Sequence, residues 1–448
     1  MSIATIILAA GKGTRMNSDL AKVLHPIANV PMLHHAMATA ATLEPTLDIV
    51  VIGHQAEAIA AAARDFDADV QIANQEEQLG TGHAVQMAAP LLDGFEGRVV
   101  VLFGDTPFIQ PETMQNLMAA TSDITILAFD AADPGRYGRV VSDGDTLERI
   151  VEWKDASPEE RDITLCNSGV MCILSTLLND LIFELSDTND ASEFYLTELP
   201  ALARKNGYSA GVVLCDEAET LGVNTLAELS DAELIWQNSR RRSLMEDGVY
   251  MQAPDTVQLA FDTEIGRGAS VEPNVVFGLG VTVESDARIR AFSHLEGAHV
   301  SRGATVGPYA RLRPGAELSE HVHVGNFVEI KNAVVAEGAK INHLSYIGDA
   351  RIGSRTNVGA GTITCNYDGV MKHQTEIGAD AFIGSNTMLV APVTLGSGSM
   401  TGSGSVITSD VEPDALAISR APQVEKPGMA RKLLEMLRAR KAQKDRSN

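Results

Sequence analysis

From Ile265 onward an apolar residue recurs at every sixth position: Ile265, Val271, Phe277 and Val283. A small or β-branched residue follows four places later in each step, at Ala269, Val275, Val281 and Ala287. The beat resumes at Val306, Leu312, Leu318, Val324 and Ile330, and again at Ile377, Ile383, Leu389 and Leu395. Such a repeat is the pattern of a parallel β-helix, in which each short strand turns its first aliphatic inward, small residues make the corners and three strands close one coil. It predicts a solenoid over about 250–410. The beat fails between Thr362 and Glu376, where Asn366, Tyr367, Gly369 and Lys372 intrude. An insertion of this kind maps to a loop on one face, often the binding face.

The first half follows a different rhythm. Short branched runs at Ile6–Leu8, Ile49–Ile52, Val99–Phe103 and Ile124–Leu127 suit strands buried on both faces. Helical patterns lie between them, over 31–43 and 55–66. Residues 1–225 are therefore expected to form a doubly wound, Rossmann-like α/β domain with ligands at the carboxyl ends of its strands. A linking helix is expected over 226–248. Ser230 and Glu233 have capping-box spacing, Leu226, Leu229, Leu234 and Ile235 form an apolar stripe, and Arg240, Arg241 and Arg242 stand near its end. The β-helical domain is set at 249–420. A basic tail follows at 421–448, where Leu433, Leu434 and Leu437 predict an amphipathic helix packed on the body.

A length of 448 residues calls for more than one core, and 45% hydrophobic with 21% charged residues is a globular balance. The net charge of -24 excludes general nucleic-acid binding, because a polyphosphate backbone would be repelled. The apolar run from Ile3 to Ala10 is short and lacks a basic preface, so neither a signal peptide nor a membrane span is expected. Cys166, Cys172, Cys215 and Cys365 show no CxxC spacing and read as free thiols of a cytoplasmic protein.

Local chemistry then sharpens the picture. Leu8, Ala9, Ala10, Gly11, Lys12, Gly13, Thr14, Arg15 and Met16 follow the first strand, and Lys22 comes seven residues after Arg15. Glycines let backbone N–H groups approach a polyphosphate, and Arg15 and Lys22 can offset its charge. No Gly-Lys-Ser/Thr follows at P-loop spacing, and Met16 stands where a dinucleotide fingerprint needs its third glycine.

This segment resembles the signature of sugar-1-phosphate nucleotidyltransferases. Gln75–Ala84, Phe103–Asp105, Tyr137–Arg139, Val151–Lys154, Asn167–Gly169 and Gly222–Asn224 extend the match in order. Joined to the hexapeptide half, nearly the whole chain resembles the bacterial family of bifunctional N-acetylglucosamine-1-phosphate uridyltransferases and glucosamine-1-phosphate N-acetyltransferases. The resemblance implies that UTP and its sugar product are held by Leu8, Ala9, Ala10, Gly11, Lys22, Gln75, Gly80, Thr81, Gly104, Gly138, Glu152, Asn167 and Asn224. Arg15 and Lys22 would act on the phosphates, and Asp105 with Asn224 would bind Mg²⁺, a hard cation that takes oxygen ligands. Two positions depart from the family's pattern: Phe103 for a common Tyr, and Ser168 for a common Thr.

In the β-helix, Arg313 and Lys331 suit a monoester phosphate. His343 is the evident group able to take a proton near neutral pH, as an amine attacking a thioester requires. The resemblance makes His343 the general base, with Glu329 expected to orient or tune it. It places acceptor-sugar contacts on Arg313, Lys331, Tyr346 and Asn357, with the loop residue Asn366 beside them. Acetyl-CoA contacts fall on Ala360, Asn366, Tyr367, Ser385, Ser403 and Arg420, with Ser403 standing where Ala is common. It also implies a left-handed β-helix and a homotrimer, neither of which periodicity gives. Two rival readings stay open here: a monofunctional glucose-1-phosphate nucleotidyltransferase with a regulatory β-helix, and a non-catalytic scaffold with a decayed nucleotide fold.

Overall fold

The computed structural model describes residues 2–189 and 191–447. The chain divides into two compact units, residues 1–244 with 259–261, and residues 245–258 with 262–448. The last residue of the expected tail, Asn448, lies outside the described residues.

The first unit is built on a nine-stranded sheet. Its order is Gln71–Asn74, Leu47–Ile52, Ser2–Leu8, Gly97–Phe103, Leu165–Leu174, Ile124–Asp130, Ala210–Leu214, Thr146–Val151, Arg139–Asp143. The first four strands run parallel, while Leu165–Leu174 runs antiparallel to both its neighbours. Branched residues fill both faces. Ile6, Leu8, Val51 and Val101 feed one core, and Ile7, Val50, Ile52, Val100 and Leu102 feed the other. Burying a side chain of this size contributes roughly 1.5–3 kcal/mol, which explains why these runs become interior strands. The chain reverses direction across the sheet on either side of Ser2–Leu8, so a crevice opens at that strand's carboxyl end.

The helix Leu226–Glu246 packs within this unit through Ala232, Gln237, Arg241 and Leu244. The Gln237 carboxamide clamps Leu259, accepting from its N–H at 2.9 Å and donating to its carbonyl at 2.7 Å. The expected cap at Ser230 is not the cap, because Ser230 lies inside the helix. Thr225 and Glu228 do that work instead. The Thr225 hydroxyl accepts from Glu228 N–H at 3.2 Å, and the Glu228 carboxylate accepts from the N–H groups of Thr225 and Asn224.

The second unit is a parallel β-helix. Ile265, Val283, Val300, Leu318, Val335 and Ile352 stack in register as one interior column. Val271, Ile289, Val306, Val324, Ile341 and Val358 make a second. Phe277, Leu295, Leu312, Ile330 and Ile347 make a third. The four-later residues Ala269, Val275, Val281 and Ala287 are buried as well. Ile352 pairs with Ile377, a step of 25 residues that accommodates the 366–374 loop. These parallel coils and their hexapeptides are consistent with the left-handed form.

The helix Met429–Ser447 forms as expected, but it does not pack on the body. Leu433, Leu434 and Leu437 are 47%, 53% and 55% exposed.

Candidate active sites

The first site lies at the carboxyl end of Ser2–Leu8. A cavity of about 580 Å³ is lined by Leu8, Ala9, Ala10, Gly11, Arg15, Lys22, Gln75, Gly80, Thr81, Asp105 and Asn224, together with Gln78, Phe103 and Glu193. Gly13 adopts φ 59°, and a Cβ there would come within 2.6 Å of Lys22 Cβ, so glycine is what lets Lys22 close on the site. The Lys22 ammonium stands between the Asp105 carboxylate and Asn224 Oδ1, the latter at 2.8 Å. Arg15 donates to the same oxygen at 2.7 Å. Two hard oxygens thus already converge on one cation.

Gly80 adopts φ 111°, and a Cβ would meet Phe194 O at 2.6 Å. The 193–197 segment lies over this turn. Thr81 Oγ1 accepts from Leu196 N–H at 3.2 Å, and the Thr197 hydroxyl donates to Glu152 Oε1 at 2.9 Å. The segment therefore ties the cavity to a second group of expected residues outside its lining. There Gly138 faces Glu152, so that any Cβ at this position would stand 3.5 Å from Oε1, and Asn167 N–H donates to Gly138 O at 2.9 Å. Burial pushes the Glu152 carboxyl above the usual carboxylate range, against the Thr197 hydrogen bond. Asn167 Oδ1 is buried with no hydrogen-bond partner among the described residues. Gly104 N–H donates to Leu8 O at 3.0 Å and joins the two strand ends. Phe103 packs on Gly169, where a Cβ would come within 2.6 Å of the Phe103 ring. The Ser168 hydroxyl donates to Leu127 O at 2.7 Å, a bond that a threonine could also make.

The second site divides between two edges of the β-helix. On one edge Arg313 Nη1 donates to Glu329 Oε1 at 2.9 Å. Lys331 stands beside Lys372, and the neighbouring ammonium lowers its pKa. Tyr346 pairs in register with Glu329, and its hydroxyl overlies Gly348. Asp349 accepts from the Asn332 carboxamide at 2.6 Å and from that of Asn366, which anchors the inserted loop. Burial would raise the Asp349 carboxyl, but those two hydrogen bonds and the nearby lysines carry it below the usual range. Tyr367 is 61% exposed, with its hydroxyl donating to Gly369 O at 2.6 Å.

On the other edge the coils stack His343, Ala360, Ser385 and Ser403 at one corner. Gly361 N–H donates to His343 O at 3.2 Å, Asn386 N–H to Ala360 O at 2.7 Å and Gly404 N–H to Ser385 O at 2.8 Å. Arg420 closes the column by donating to Ser403 O at 2.6 Å. Asn357 belongs to the same sheet as His343, one coil on from Lys340.

The expected orienting group for His343 needs correction. Glu329 is engaged by Arg313, and among the described residues no bond joins it to His343. His343 Nδ1 instead meets Asn326 Oδ1 at 2.7 Å, from the strand one coil earlier. Asn326, Asp349, Thr197 and His83 are contacts that sequence reasoning did not single out. Asn326 and Asp349 stand 17 residues from their partners, one coil's length, and that spacing was the available signal. Burial raises Cys215 to about 12, which leaves no thiolate nucleophile at that position.

Comparison with known proteins adds the lineage. Residues 5–179 match the MobA-like NTP transferase domain, and residues 374–409 match the bacterial transferase hexapeptide (six repeats). The chain is 58% identical to a bifunctional protein GlmU of Jannaschia sp., covering 99% of this chain and 98% of that one. It is 62% identical to the protein of that name from Cereibacter sphaeroides, covering 99% and 98%. With the one from Roseobacter denitrificans it shares 61% identity over 100% of both.

Proposed function

The chain belongs to the family of bifunctional GlmU proteins, and from that membership we propose how its residues divide the work. It is a bifunctional transferase with uridylyltransferase and glucosamine-1-phosphate acetyltransferase activities, producing UDP-N-acetylglucosamine. In the proposed division, residues 1–225 carry uridylyl transfer, 226–248 link, 249–420 carry acetyl transfer and 421–448 form the basic tail.

In uridylyl transfer, the phosphate of N-acetylglucosamine-1-phosphate attacks the α-phosphorus of UTP in line, and pyrophosphate leaves. Such a reaction is accelerated by positioning and charge neutralisation. Arg15 and Lys22 hold the phosphates and the departing pyrophosphate. Gln75, Gly80 and Thr81 take the base. Gly138, Glu152 and Asn167 take the sugar, and the partnerless Asn167 oxygen supports that role. Asp105 and Asn224 fit a Mg²⁺ ion, since their oxygens already share one cation in Lys22. Among the described residues no cluster of three or more His, Cys, Asp or Glu side chains could hold a metal, which suits a site completed by phosphates and water. Bound there, Mg²⁺ would neutralise charge on the phosphates.

In acetyl transfer, the amine of glucosamine-1-phosphate gives a proton to His343 as its nitrogen bonds to the thioester carbonyl carbon. The C–S bond then breaks, and the CoA sulfur leaves with that proton. With Asn326 Oδ1 accepting, Nδ1 carries the histidine's proton and Nε2 presents the lone pair. Arg313, Lys331, Tyr346 and Asn357 take the acceptor. Ala360, Asn366, Tyr367, Ser385, Ser403 and Arg420 take acetyl-CoA. The observation that carries this half is the corner column running from His343 through Ala360 and Ser385 to Ser403.

We assign the assembly as a homotrimer. Phe292, Tyr309, Phe327 and Leu344 occupy left-handed corners with φ of 52–61°, and each is about half exposed. The three rings stack at 4.9 and 5.3 Å. Bulky residues in this conformation cost on the order of 1–3 kcal/mol each, a cost that contact with another copy would offset. The four unpaired cysteines and the substrates UTP and acetyl-CoA support a cytoplasmic location. Among the described residues no helix is long and apolar enough to cross a membrane.

The test is thiol release from acetyl-CoA with glucosamine-1-phosphate, set against N-acetylglucosamine-1-phosphate as a blocked control. Release with the free amine alone supports the reading. No release from folded protein leaves a nucleotidyltransferase with a β-helix of other purpose.

A further inference from the structure

Gln75 lines the first cavity yet is only 3% exposed, which makes the orientation of its carboxamide a matter of chemistry. Its Nε2 donates to Gly80 O at 3.0 Å. A backbone carbonyl can only accept, so the amide nitrogen must stand on that side. The same nitrogen lies 3.1 Å from His83 Nδ1. His83 Nδ1 must therefore be the acceptor, and the proton of the neutral ring sits on Nε2. Both Gln75 N–H groups are thus used inside the protein. Its Oε1 makes no hydrogen bond among the described residues, and neither does Gly80 N–H beside it.

We infer that His83 is a positioning residue that sets the base preference of uridylyl transfer, by holding the Gln75 carboxamide with only its acceptor available to the base. The inference rests on the proposed role of Gln75 at the nucleobase. An acceptor-only group needs a donor on the ring edge. Uracil offers N3–H, whereas cytosine presents a lone pair at N3. Without the His83 acceptor, one Gln75 N–H loses its partner. The carboxamide then keeps a single anchor and can swing its NH₂ toward the cavity, where it suits the cytosine N3. His83 is held for this task by the first turn of the helix Thr81–Ala88 and by Phe194, whose ring centroid lies 6.2 Å from its own.

The experiment measures pyrophosphate release by the full-length chain with N-acetylglucosamine-1-phosphate and either UTP or CTP. His83→Phe keeps a ring but removes the acceptor. His83→Asn places an oxygen near the position of Nδ1. The wild-type enzyme is expected to prefer UTP. In His83→Phe the UTP-to-CTP ratio of kcat/KM should fall by about ten- to a hundredfold, the range set by leaving one buried polar group unmatched. The fall should come through KM for UTP, with kcat at saturation little changed. His83→Asn should restore most of the ratio. A merely structural role would lower both nucleotides in proportion, and that result would overturn the inference, as would failure of His83→Asn to rescue. If the phenylalanine prevents folding, His83→Leu takes its place with the same expectation. A wild-type enzyme that turns over neither nucleotide would instead remove the functional reading beneath.

Discussion

Asn326 shows what a single residue contributes beyond any motif. Its Oδ1 lies 2.7 Å from His343 Nδ1 and can only accept, which leaves Nε2 as the nitrogen that the proposed acetyl transfer uses as its base. Asn326→Ala should lower acetyl transfer by roughly 2- to 10-fold, the net worth of one hydrogen bond at a solvent-exposed site, and leave pyrophosphate release untouched. Equal loss in Asn326→Ala and Glu329→Ala would place Glu329 back in the orienting role. Glu152 gives a pH prediction at the same scale. Burial raises its pKa in the folded state above the unfolded value, so the fold binds that proton more tightly. Its contribution to stability is then fully present below the unfolded pKa and is lost as pH rises through the folded one. At pH 7 the Glu152→Gln variant should therefore melt higher than the wild type, with the gap closing on acidification, while its KM for the sugar phosphate rises. Sequence gave Glu152 and His343 as positions through resemblance. It could not give Asn326 or Thr197 as their partners, because coil register and the path of the 193–197 segment decide which side chains meet.

At the scale of elements, the hexapeptide beat was legible because each inward residue repeats the same steric demand. Ile330, stacked between Leu312 and Ile347 with no exposure, is a fair test. Ile330→Ala should destabilise the β-helical unit by about 2–5 kcal/mol, read as a lowered denaturant midpoint with its slope retained. The start of the helix Leu226–Glu246 was less legible. Two capping-box spacings stand five residues apart, Thr225 with Glu228 and Ser230 with Glu233, and local sequence does not rank them. The site architecture does, since Glu228 also ties down the Asn224 backbone beside Lys22. Thr225→Ala should cost about 0.5–2 kcal/mol and Ser230→Ala much less. Matching losses in urea unfolding would mean that the upstream box is not what starts the helix. The tail helix was read correctly in its existence and wrongly in its packing, because an apolar stripe states that a face can be covered and not by what.

Across the whole molecule, alternation of branched runs with helices and then a six-residue beat was enough to predict two different architectures in one chain. The two activities follow from that division, and each has its own chemistry. In the proposed division, one neutralises phosphate charge at the cavity holding Arg15, Lys22, Asp105 and Asn224, and the other moves a proton at His343, which meets Asn326. The central claim is that these sites work on one polypeptide and fail separately. The most direct measurement follows CoA thiol release and pyrophosphate release in parallel on wild type, Asp105→Ala and His343→Ala, with folding verified for each. The account predicts that Asp105→Ala loses pyrophosphate release and keeps thiol release, and that His343→Ala does the reverse. Loss of both reactions in either folded variant would contradict it.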